Sequence, residues 1–135
     1  MPVGTIVGTG LYVPEKRVSN QYFNEKYGKD IDSFLKAKRN IHQRFFMSEN
    51  QATSDLIVPA AEKALQQAGL KASDLQLIIV ATDTPDYISP STAAVVQHKL
   101  SAKQAGTFDV NTACAGFVTA MDIANKYIQT DSQYQ

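Results

Sequence analysis

The run Leu75-Gln76-Leu77-Ile78-Ile79-Val80-Ala81-Thr82 restricts this chain more than any other feature, because it is apolar and branched with almost no alternation. A strand with one wet face alternates, whereas one that does not must be covered on both faces, as in a parallel sheet between helices. Its neighbours read as those helices. Upstream, Leu56, Ile57, Ala60, Ala61, Ala64, Leu65 and Ala68 recur on one helical face, with Thr53 or Ser54 near the start, Pro59 early and Gly69 at the end. Downstream, Ser91 to Leu100 reads as a helix, Thr107 to Val110 as a second strand, and Phe117, Ala120, Met121, Ala124, Tyr127 and Ile128 as the buried stripe of a last helix.

The N-terminal third is less regular. Val3 to Val7 is β-prone and is closed by Gly8 and Gly10, with Pro14 beyond, so a first strand is expected there. Gly8-Thr9-Gly10 is a poor dinucleotide fingerprint, since its third glycine would fall at Val13 and Pro14 forbids a helix interior. Ser19 to Tyr27 and Asp32 to Lys38 read as short amphipathic helices separated by Gly28 and joined to a polar loop. The alternation predicts an α/β layered domain with a mainly parallel sheet covered by helices.

The single cysteine, Cys114, lies in Phe108-Asp109-Val110-Asn111-Thr112-Ala113-Cys114-Ala115-Gly116-Phe117, just beyond the carboxyl end of a strand and before a helix. Open α/β sheets place their sites at such ends, and helix N–H groups with the helix dipole favour a thiolate there. Cysteine is also among the most buried residue types, so placement by itself fits a nucleophile and a small buried hydrophobe equally well.

The wording around Cys114 resembles the active-site segment of the ketoacyl synthase III enzymes, thiolase-fold condensing enzymes. The resemblance runs from about Val3 to Ile128. Gly8-Thr9-Gly10-Leu11-Tyr12-Val13-Pro14 is similar to their opening strand and turn, and Lys38-Arg39-Asn40-Ile41-His42-Gln43-Arg44 to their Arg-Thr-Gly-Ile-x-x-Arg stretch. Ile78-Ile79-Val80-Ala81-Thr82, followed by Pro90-Ser91, resembles their second core strand and the helix after it.

The resemblance implies a thiolase-like layered fold, with residues 1–135 as the incomplete N-terminal part of a condensing-enzyme domain whose second half lies beyond Gln135. It implies that Cys114 takes an acyl group from an acyl-CoA or acyl carrier protein thioester and that condensation with malonyl-acyl carrier protein follows, as in fatty acid or related biosynthesis. A histidine and an asparagine of the second half complete that machinery, and a homodimer is implied, with Pro85 to Gln97 near its interface. Phe34 stands where well-known members stack a tryptophan on the CoA adenine, Lys38 where they carry an arginine, and Asn40 where they carry a glycine. Lys36, Lys38, Arg39, His42 and Arg44 concentrate positive charge, and the resemblance makes the stretch part of an entrance for CoA phosphates or an acidic carrier protein. Ser89 falls where some members project an aromatic ring into the acyl pocket, and a small residue there leaves room for a longer or branched acyl group. Alternatives are acyl transfer to oxygen or nitrogen or other thioester chemistry on this scaffold, and a catalytically idle half that binds a partner.

Composition restricts the remaining classes. Thirteen basic and thirteen acidic residues leave no net charge, so nucleic acid and anionic membrane surfaces are not expected partners. The start has no secretory pattern, and one cysteine cannot form an internal disulfide, which makes the cytoplasm the expected compartment. His98 reads as an ordinary residue of a helix. His42 has no second histidine or carboxylate at ligand spacing, so a metal site is not expected, and the chemistry that the resemblance implies calls for no prosthetic group.

Overall fold

In the computed structural model, which describes residues 3–134, the chain forms two units: Val13–Gln51, and the residues up to Tyr12 with those from Ala52 onward. The first unit contains β1 (Lys16–Ser19), α1 (Asn20–Tyr27), α2 (Asp32–Arg39) and β2 (Gln43–Phe46). Both helices stand where their patterns predict. Each ends on a residue in the left-handed region, Gly28 at φ 62° and Asn40 at φ 53°, so Asn40 does the work of the glycine it replaces.

The strands of this unit are a correction, because the sequence pattern predicts only a polar loop after the second helix and no strand in this unit. β1 and β2 pair antiparallel with Val18 opposite Arg44, and neither has an alternating apolar pattern that would announce it. Their pairing is reinforced from below by Asn20, which is 1% exposed. Its Nδ2 donates to Asp32 Oδ1 at 2.9 Å and to the Ile41 carbonyl at 2.7 Å, while its Oδ1 accepts from Arg44 Nη1 at 3.2 Å. A buried amide with every group satisfied is costly to replace.

The second unit contains α3 (Thr53–Ala68), β3 (Leu77–Ala81), α4 (Thr92–Leu100), β4 (Gly106–Val110) and α5 (Gly116–Thr130). β3 and β4 pair in parallel, with Ile79 opposite Phe108 and Val80 opposite Asp109. Val80, Ala93 and Val96 form the core with Ile57, Val58, Ile78 and Leu100 around them, so α3 and α4 cover one face of the pair. α5 covers the other, where Tyr127 meets Phe108 at 6.2 Å between ring centroids. The layered, parallel arrangement is the one the uninterrupted apolar run demanded. Burying a valine such as Val96 contributes roughly 1.5–3 kcal/mol.

Two expectations fail in this unit. Val3 to Val7 forms no strand: Val3, Ile6 and Val7 are exposed, and the segment lies against helices instead of pairing with β3. Gly4 N–H donates to Asn125 Oδ1 at 3.0 Å and Thr9 N–H to Gln67 Oε1 at 2.7 Å, so side chains take donors that a ladder would have used. Nor is the apolar stripe of α5 buried throughout. Phe117 is 71% and Met121 41% exposed, while Ala124 and Ile128 line a groove of about 370 Å³ with Leu77 and Ile79 of β3. Nothing pairs with the outer edge of β3 among the described residues, so the stripe has too little opposite it to be covered. Among the described residues no helix is long and apolar enough to cross a membrane.

Candidate active site

β4 delivers the chain to the cysteine. After Val110, whose carbonyl accepts from Thr82 N–H at 3.1 Å, the backbone leaves the sheet and enters a single 3-10 turn, Ala113–Ala115, which runs directly into α5. Ala113 takes a positive φ of 47°, and Ala115 N–H closes the turn on the Thr112 carbonyl at 3.1 Å. Gly116 is buried where α5 approaches β3, and a Cβ there would stand 3.2 Å from the Cβ of Ala81. That approach is tighter than ordinary van der Waals contact, so any side chain there must shift the helix or the strand by a few tenths of an ångström, and glycine avoids the shift.

Cys114 is exposed, which removes the reading of a buried hydrophobe. It opens onto a cavity of about 420 Å³ lined by Ile57, Val80, Thr82, Asp83 and Phe117 among others. No side chain caps the N-terminus of α5; the 3-10 turn itself takes up its first donors, with Ala115 N–H on the Thr112 carbonyl and Gly116 N–H on the Ala113 carbonyl, so the thiol lies at the positive end of the helix. A thiol at a helix start, facing a mostly apolar space, is equipped to attack an apolar acyl thioester.

The sheet also anchors the neighbouring loop. Asp109 Oδ2 accepts from Thr92 N–H at 2.6 Å and its Oδ1 from Ala93 N–H at 2.8 Å, completing the N-terminus of α4 together with Ser91 Oγ, which accepts from Ala94 N–H at 3.2 Å. Asp86 Oδ1 accepts from Ser54 N–H at 3.0 Å, and Asp86 N–H donates to Thr92 Oγ1 at 3.1 Å. Between these ties Ser89 is exposed, beside Tyr87 and Ile88, which are 59% and 104% exposed. The clamp by Asp109 was missed from sequence, although an aspartate late in a β-prone run is the available sign. His98 is exposed at the end of α4, as expected.

The remaining site residues belong to the other unit. Phe34 is 55% exposed on α2, and the guanidinium carbon of Arg39 lies 5.7 Å from its ring centroid. Arg39 Nη1 also donates to the backbone carbonyl of Lys38 at 2.9 Å, so the structure brings the Phe34 and Arg39 side chains together and leaves the exposed Lys38 on the same helix. The wider basic stretch divides. Lys36 pairs with Asp32 at 2.7 Å, and its hydrogen bond is the main cause of that carboxyl's lowered pKa. Arg44 faces inward to Asn20 and over the Phe23 ring at 4.6 Å, while His42 Nε2 lies 3.0 Å from Asn40 Oδ1. Lys38 and Arg39 therefore remain as the outward cations of α2.

Residues 108–135, which hold the whole cysteine turn and α5, match the family described as 3-Oxoacyl-[acyl-carrier-protein (ACP)] synthase III. A Clostridium perfringens protein named Beta-ketoacyl-[acyl-carrier-protein] synthase III is 45% identical over 93% of this chain. The chain belongs to the ketoacyl synthase III family. It spans 38% of the length of that relative. The fold agrees: the crystal structure of 3-oxoacyl-[acyl-carrier-protein] synthase III from Aquifex aeolicus superposes with a TM-score of 0.82 at 37% identity, covering 93% of this chain and 40% of that one. The priming beta-ketosynthase of the R1128 polyketide pathway superposes with a TM-score of 0.82 at 28% identity, over 93% of this chain and 37% of that one. Ketoacyl synthase III relatives thus share the thiolase-like α/β layering around β3 and β4.

Proposed function

We propose that Cys114 is the nucleophile of a 3-oxoacyl-acyl carrier protein synthase III-type acyltransferase, and that this chain acts within a polypeptide of the length its relatives have. The observation that carries the reading is the exposed thiol of Cys114 at the start of α5, on an apolar cavity and inside the residues that match the family.

The chemistry follows from that position. Cys114 Sγ attacks the carbonyl carbon of an acyl thioester, a new carbon–sulfur bond forms, and the carrier's thiol departs with the proton that Cys114 gives up. The N–H of Cys114 is suited to donate to the developing oxyanion. Malonyl-acyl carrier protein then loses carbon dioxide, its carbanion attacks the acyl carbonyl, and the Cys114 thiolate is released. Phe34, Lys38 and Arg39 receive the donor's ring or phosphates, or the acidic surface of a carrier protein, and Ser89 leaves space for the acyl group in a homodimer. Likeness to a polyketide priming synthase supports a second reading in which the acylated Cys114 serves a different thioester product.

Intact-mass measurement of the full-length protein after incubation with acyl-CoA and acyl carrier protein thioesters tests the reading. One acyl adduct, absent in Cys114→Ala, is expected. Condensation with malonyl-acyl carrier protein separates the first reading from the second. No adduct from either donor sinks both.

A further inference from the structure

Among the described residues, three other than glycine take a positive φ: Asn40, Ser101 and Ala113. Asn40 and Ser101 cap the C-termini of α2 and α4, where a left-handed residue is routine. Ala113 caps no helix. It lies between β4 and α5, directly before Cys114, and its methyl group offers nothing to offset the clash of Cβ with the backbone that this region imposes. Such a residue persists only where its surroundings over-determine it, and the pattern is frequent at functional sites.

The surroundings are identifiable. The ladder ends at Val110 on one side, and on the other Gly116 sets the start of α5 close against Ala81, where a Cβ would stand 3.2 Å from the Ala81 methyl. Five residues must turn the chain between these two fixed points. Thr112 Oγ1 donates to Thr119 Oγ1 at 3.2 Å, tying the residue before Ala113 to α5, and Ala115 N–H bonds the Thr112 carbonyl. The left-handed step at Ala113 is what reverses the chain so that Cys114 precedes the helix and faces the cavity beside Thr82 and Ile57.

We propose that Ala113 and Thr119 are positioning residues for Cys114: the left-handed Ala113 aims the thiol, and the Thr119 hydroxyl, holding Thr112, keeps it aimed. The inference rests on the reading of Cys114 as the nucleophile. It makes Ala113 a position where stability and reactivity oppose each other, because glycine accepts the backbone angle more readily yet frees the turn to take others.

The test uses the full-length protein with Ala113→Gly, Thr119→Val and Thr119→Ser, read by melting temperature, by the rate of Cys114 alkylation with iodoacetamide, and by single-turnover acylation from acetyl-CoA. Ala113→Gly is expected to melt at or above the parent's temperature and to acylate about tenfold more slowly, the scale of loss that slight misplacement of a reacting group brings. Thr119→Val is expected to slow both reactions, and Thr119→Ser, which keeps the hydroxyl, to restore them. A purely structural role would lower the melting temperature and leave the rate per folded molecule unchanged, which overturns the proposal. If the parent is not acylated by acetyl-CoA or by an acyl carrier protein thioester, the nucleophile reading falls, and iodoacetamide still decides this one: unequal alkylation rates support it and equal rates overturn it. If Thr119→Val does not fold, Ala113→Gly and Thr119→Ser carry the comparison.

Discussion

The carboxylate of Asp109 takes the N–H of Thr92 at 2.6 Å, so the strand that ends at the cysteine turn and the helix that follows the Ser89 loop share one anchor. Thr92 is fully buried, which makes the anchor hard to replace with water. Asp109→Ala leaves two helix-start N–H groups without their partner, and a loss of about 1–3 kcal/mol is expected. Urea unfolding of the variant against the parent measures it.

Gly10 faces the backbone of α3 so closely that a Cβ would stand 1.8 Å from the Ala60 carbonyl oxygen. Gly10→Ala must push the N-terminal segment off that helix, with loss of the hydrogen bonds from Thr9 to Gln67 and from Lys63 Nζ to the Leu11 carbonyl. Roughly 1–2 kcal/mol of stability is expected to go, together with faster amide exchange in residues 4–12.

Asn40 holds φ 53° at the end of α2, and two substitutions there separate backbone strain from side-chain contact. Asn40→Gly is expected to change stability by no more than about 0.5 kcal/mol, while Asn40→Val costs about 1–2 kcal/mol because a β-branched residue resists the left-handed region. Thermal unfolding of the two variants distinguishes them.

Asp55 titrates below the usual carboxylate range, chiefly because Lys99 Nζ bonds it at 2.6 Å and then because Ala52 N–H does. A carboxyl group whose folded pKa lies below its unfolded value stabilises the fold above the unfolded value, and this contribution is lost as the pH falls through the folded one. The denaturation midpoint is therefore expected to fall as the pH drops below about 4, and Asp55→Asn to flatten that part of the profile. An identical acid limb in parent and variant would remove Asp55 from the account.

Lys38 and Arg39 test the proposed donor entrance. On that reading Lys38→Ala and Arg39→Ala each raise KM for the acyl donor about two- to fivefold, the range of an exposed charge contact, with kcat unchanged and the difference fading at high salt. Initial-rate kinetics at low and high salt with CoA and carrier-protein donors supply the check.

The local part of this structure was legible before any coordinates. Helix ends followed from Gly28 and Gly69, which take the left-handed angle their positions imply, Asn40 takes the angle that the family resemblance implied for it, and the core strand followed from an apolar run that no half-wet sheet would tolerate. The strand–cysteine–helix junction was equally plain, because small residues between two apolar patterns mark a turn and a lone thiol is easy to see.

Pairing was not legible, because it depends on residues far apart in the chain. β1 and β2 lie 24 residues apart and carry no pattern of their own, and Val3 to Val7 has every mark of a strand yet no partner to bond. The same limit applied to α5, whose stripe was recognisable from the sequence while its burial depended on what stands beside β3. Thus the sequence by itself determined the helices, the apolar strands and the position of Cys114, since these depend on neighbours a few residues away. Only the tertiary structure decided which strands pair, that Asp109 reaches α4, and that Ala113 turns left-handed, since those depend on contacts whose cost and gain arise once distant segments meet.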